Sequence, residues 1–159
     1  MSKKEGTNIP TAFFSQEEIE RFQSLEGSIL TDVNYFIWIN PNNNQQKFLY
    51  CVELLFNEDN PLLLIADEDE EFIRMISIAD FVAKAAMLRE QSGGVAVIQQ
   101  ANPSTIEPWN AVVGSLLLGI RLTAGERGLY TNDVLLLEFV TKGVIIAAND
   151  RGGLFVTTQ

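Results

Sequence analysis

Carboxylates dominate the few residues of this chain that could do chemistry. Histidine is absent, which removes the commonest general base and metal ligand at neutral pH and any Ser-His or Cys-His nucleophile pair. The run Asp67, Glu68, Asp69, Glu70, Glu71 offers hard oxygen ligands of the kind calcium or magnesium takes. It lacks the central glycine and the distal bidentate Glu of an EF-hand loop, and it reads as a solvated hairpin turn. Glu20 and Glu107 occupy equivalent places in two similar stretches, so a pseudo-twofold arrangement would bring them together as paired carboxylates, with Asp67 and Asp150 as further candidates in the same groove. Helix-start positions account for Glu20 and Glu107 equally well, since an acid near a helix N-terminus is worth ~0.3–1 kcal/mol. Cys51, between Tyr50 and Val52, has no flanking cation to make it a thiolate and reads as a small buried hydrophobe. Gly93-Gly94 and Gly152-Gly153 punctuate turns, and no Walker loop, dinucleotide fingerprint or zinc spacing occurs. These residues specify no catalytic group, metal or cofactor, and they lean away from an enzyme.

The elements that would position such groups are announced by an internal echo. IERFQSLEGSIL, Ile19 to Leu30, returns as IEPWNAVVGSLL, Ile106 to Leu117, and Val52 to Ile73 lies over Leu135 to Val156 with Phe56 matched to Phe139. Self-similarity of this kind indicates one supersecondary unit used twice. The expected fold is therefore α+β: a short helix followed by a four-stranded antiparallel meander, duplicated as a pseudo-twofold pair and bridged by one amphipathic helix. In a single domain of 159 residues, residues 15–76 form the first repeat, 77–103 the connection and 104–158 the second, behind a disordered tail over 1–12.

Local signals place the elements. Ser15 with Glu18 makes a capping-box pattern, and Gly27 and Gly114 look like helix-terminating glycines. Phe22 and Trp109 are then the aromatic knobs by which each helix grips its own sheet. Ile78, Phe81, Val82, Ala85 and Leu88 share one face of a helix ending near Gln91, and Val95 to Gln99 reads as an extra strand. In the strand after Gly27, side chains two apart share a face. Val33, Tyr35 and Ile37 face the core; Phe36 and Trp38 face away from it, with Leu55 near them. Either the helix from Ile78 covers this aromatic face, or it is an exposed patch for a homodimer or a protein partner.

Bulk composition limits the function classes. Apolar residues at 47% and charged residues at 20% describe a packed globular chain. The net charge of −10 disfavours nucleic-acid backbone as a partner and favours encounter with a basic protein. One cysteine and no apolar run of membrane-spanning length point to a cytoplasmic protein with no membrane partner. The expected function is non-enzymatic binding or regulation through a protein surface, in a specific form an acidic inhibitor or immunity-type protein. The alternative is a small-molecule module or carboxylate-dependent enzyme with a groove between the repeats.

Overall fold

The computed structural model describes residues 12–42, 47–66, 72–149 and 152–159. The chain order is helix α1 (Gln16–Ser24), strands β1 (Leu30–Ile39), β2 (Lys47–Phe56), β3 (Asn60–Ala66) and β4 (Ile73–Ile76), and helix α2 (Ile78–Gln91). Strands β5 (Val97–Ala101), β6 (Leu117–Ala124), β7 (Tyr130–Phe139), β8 (Gly143–Ala148) and β9 (Leu154–Thr158) follow. The protein is mostly β, 50% strand and 21% helix, with one curled antiparallel sheet of nine strands among the described residues. The expected α+β duplication of a helix plus a four-stranded meander is thereby corrected.

Two physical reasons lie behind the correction. The second stretch contains no α-helix: only a three-residue 3-10 turn, Trp109–Ala111, fits between Pro108 and Gly114. Val112 and Val113 there are β-branched and stiff, and they propagate a helix poorly. The strands, moreover, do not stay in separate units. The β3 strand takes one edge of β2 from Cys51 to Phe56, and β9 joins the same edge at Leu49↔Leu154. On the opposite edge of β2 lies β1, to which β5 adds. The sheet then curls until Ile29 and Leu116 bridge each other, with Leu30 N–H donating to Ser115 O at 3.1 Å and Leu117 N–H to Ser28 O at 2.8 Å. Positions matched in the sequence echo thus meet at this bridge, but a helix-plus-meander unit is not what is repeated.

The aromatic knobs also cross over rather than gripping their own strands. Trp109 is fully buried and its indole N–H donates to Tyr35 Oη on β1. Phe22 of α1 stacks edge-on against Phe14 and faces Ile120 and Leu122 of β6. A single main core results, in which Leu30, Val33, Val52, Leu54 and Phe56 share an interior with Trp109, Leu117, Leu135, Leu137 and Phe139. Burying apolar area at ~25 cal/mol per Å² favours this common interior over two half-sized ones.

A second, smaller cluster lies on the other side of the sheet. The register of β1 and β2 slips at Phe36/Ile37, where Cys51 and Leu49 are the successive partners and Tyr50 is the extra residue. A bulge turns consecutive side chains to one face, and Tyr50 and Cys51 are both buried there beneath α2 with Leu63, Ile65 and Phe81. The inward face of α2 is narrower than its spacing suggests: Phe81, Ala85 and Leu88 point in, whereas Ile78 and Val82 are exposed.

Candidate functional site

The aromatic off-core pair falls under α2. Phe36 lies 4.9 Å, centroid to centroid, from Phe81, and Trp38 stacks on Phe48 at 6.4 Å. Both are half-buried and pack against the second cluster, Phe36 directly on Phe81 of the helix. Leu55, opposite Asp32 and Pro61, is half-buried and stands apart from that cluster. Glu20 is exposed on α1 and accepts from Gln16 Nε2 at 3.1 Å, while Glu107 is exposed ahead of the 3-10 turn. No contact joins these two carboxylates among the described residues. Asp67, with the rest of its acidic run, and Asp150 lie outside the described residues, as do residues 1–11 of the expected tail.

Cys51 is completely buried. Burial, and secondarily the nearby Glu53 carboxylate, push its thiol well above the ordinary value of 9.0, and a bond to the Leu64 backbone offsets only part of this. A thiol held neutral in this way is a poor nucleophile and metal ligand. Tyr35 is likewise raised above 10.0 by burial, against a smaller lowering by the Trp109 hydrogen bond.

Glu18 does more than close a capping box. It is 6% exposed, and its Oε1 accepts from Ser15 N and from Arg74 Nη1, each at 2.8 Å, while its Oε2 accepts from Met75 N at 2.9 Å. One carboxylate therefore caps α1 and ties it to β4. Arg21, across the same groove of roughly 520 Å³, donates to Asn60 Oδ1 and Pro61 O, both at 2.7 Å. Glu18, Arg21 and Arg74 of this groove are thus engaged in the fold. Among the described residues, no three Cys, Asp or Glu side chains gather as a metal site.

A surface feature that the sequence does not announce lies at the closing bridge. Ile29 and Leu116 bridge each other with exposed side chains, Val140 N–H donates to Leu116 O at 3.0 Å, and Leu118 follows in the bulged start of β6. Leu118 is 57% and Val140 62% exposed. Acidic residues rim this apolar patch. Glu26 reaches over Gly119, and Glu58 sits in the β2–β3 turn that is clasped to Ile29 and Thr31. In that clasp Asn57 donates its N–H to Ile29 O at 2.8 Å and accepts from Ile29 N at 3.0 Å, and Glu58 N–H donates to Thr31 Oγ1 at 3.0 Å. Asn57 and Glu58 both hold positive φ, 52° and 73°. For a residue with a Cβ such a conformation costs ~1–2 kcal/mol, and the clasp maintains it. The only signal in the sequence is that Ile29 and Leu116 are matched in the echo; that they touch depends on how the sheet curls.

The fold and this surface define a mostly β protein with an apolar, acid-rimmed patch where its sheet closes. Compared with known proteins, the chain matches no family model, no curated sequence and no solved structure. No helix among the described residues is long and apolar enough to cross a membrane.

Proposed function

We propose that this protein works without catalysis, by holding a basic protein partner on the closing-bridge patch. The observation behind this reading is the juxtaposition of Ile29, Leu116, Leu118 and Val140, all exposed, with Glu26 and Glu58 on a chain of net charge −10. Contiguous exposed apolar side chains within a charged rim are the usual anatomy of a protein-binding surface. Charge of one sign steers an oppositely charged partner and speeds encounter, and the apolar centre slows release. An inhibitor of a basic protein fits this division of labour.

The test begins with partners captured by cross-linking in an extract of the source cells, followed by titration of the purified partner. Leu118→Ser with Val140→Ser should weaken binding at least tenfold with an unchanged melting temperature. Glu26→Lys with Glu58→Lys should slow association and flatten its dependence on salt. Binding that survives both pairs of changes, or that ignores ionic strength in the unaltered protein, overturns the reading.

A further inference from the structure

Among the described residues three strands end the sheet's pairing, and two of them are protected. At β4, Glu18 Oε2 accepts from Met75 N, and Asn132 Nδ2 donates to Ile73 O at 3.1 Å, so donor and acceptor groups of that edge are engaged by side chains. The β6 strand follows directly on the Ile29–Leu116 bridge, its Leu117 O accepting from Gly27 N–H at 2.8 Å; it then runs beside α1 and carries the charge of Arg121, which discourages a further strand. β5 is different. It pairs with β1 from Ala101↔Tyr35 to Val97↔Ile39, and no group among the described residues bonds to its other edge.

An uncovered edge is a template for another strand, and natural edges in water are commonly blocked by Lys, Pro or a bulge. β5 reads Val-Ile-Gln-Gln-Ala and has none of these. Gln91 to Ile106 is the longest run in the sequence without a charge, although the whole chain carries −10. α2 rests on Ile98 of β5 through the second cluster and is electrically balanced, with Asp80 and Glu90 against Lys84 and Arg89. Its outward side presents Ala83, Ala86, Met87 and Val82, the last 61% exposed. Val97 of β5 is exposed as well.

From these features we infer that a second copy of this chain docks here, β5 against β5, antiparallel about a twofold axis, with the outer side of α2 flanking the seam. Two bodies of charge −10 repel, and this neutral stretch is where their approach meets least opposition. Nothing on it would select a partner by charge. A twofold contact requires one patch to match itself, and an unblocked, uncharged strand matches itself through its backbone alone. This seam is independent of the acid-rimmed patch, and salt separates the two: pairing at a neutral seam tolerates or gains from salt, while capture of a basic partner weakens.

Sedimentation velocity of the full chain over rising concentration provides the test, with hydrogen exchange on the same samples. The expected result is conversion to twice the 17.7 kDa mass, undiminished by salt, with β5 amides protected more at high concentration than at low. Val97→Lys with Gln99→Lys should return the protein to a single chain at every concentration, and Met87→Ser with Val82→Ser should weaken association several-fold. A wild-type chain that stays monomeric, or β5 amides that exchange alike at all concentrations, overturns the inference. So does association abolished by the Leu118 and Val140 changes instead. The exchange measurement uses the unaltered protein, so it tests the seam even if a lysine variant fails to fold.

Discussion

At the scale of single residues, Glu18 shows how one side chain can serve two levels of structure. Its place three residues after Ser15 was legible as a helix cap, because capping chemistry is local. Its bonds to Arg74 and Met75 were not, because they connect positions far apart in the chain. Glu18→Ala removes an acceptor from two backbone donors and a guanidinium in a nearly buried place, and the melt should show a loss of about 3 kcal/mol. Glu18→Gln keeps an amide oxygen as acceptor and should lose about half as much. Cys51 and Tyr35 make a second prediction, in alkali. Both hold their protons more tightly when folded, so their contribution is fully present below the unfolded values of 9.0 and 10.0 and is lost as pH rises past them. Stability should be flat through neutrality and fall above about pH 9, by up to ~1.4 kcal/mol per pH unit for each group. Cys51→Ala should delay the onset to about pH 10, and an unchanged onset in chemical-denaturation series would refute the assignment.

At the scale of elements, the helices and most strand positions follow from short-range pattern. α2 begins at Ile78 and ends at Gln91 as its spacing and Gly93 indicate. The second stretch misled because its likeness to α1 lies in side-chain types, while Pro108 and the short span to Gly114 decide the backbone. Phe36 and Trp38 lie off the core as alternation implies, yet only packing shows that Phe81 meets Phe36 while Trp38 stacks on Phe48. The joint between β2 and β9 depends on backbone contact that no apolar pattern encodes. Gly153, at φ +80°, lies where an added Cβ would meet Leu49 O at 2.5 Å and Phe48 Cδ1 at 2.7 Å. Gly153→Ala should therefore cost about 3 kcal/mol, from left-handed strain plus overpacking. Gly152→Ala is the control: its Cβ would meet only Phe48, at 4.0 Å, so strain alone should cost about 1 kcal/mol. Equal losses in urea melts would show that the β2–β9 contact is not what Gly153 protects.

At the scale of the whole molecule, the shared interior has a direct consequence. Trp109 bonds to Tyr35, Leu117 pairs with Ser28, and Asn132 reaches Ile73, so residues 12–101 and 102–159 each leave apolar surface that only the other covers. Expressed apart, neither fragment should give a cooperative melt; mixed, they should recover native circular dichroism. Independent folding of either fragment would show that the interior is divisible. By itself the sequence determined the acidity, the absence of histidine chemistry, both α-helices and the alternation of the strands, because composition and near-neighbour pattern need no knowledge of distant contacts. Tertiary structure alone decided that the strands merge into one curled sheet, that Ile29 meets Leu116, and that no described residue pairs with the outer edge of β5. Strand pairing joins backbone groups common to nearly every residue, so the choice of partner rests on which closure buries the most apolar surface, and only the folded chain reveals that.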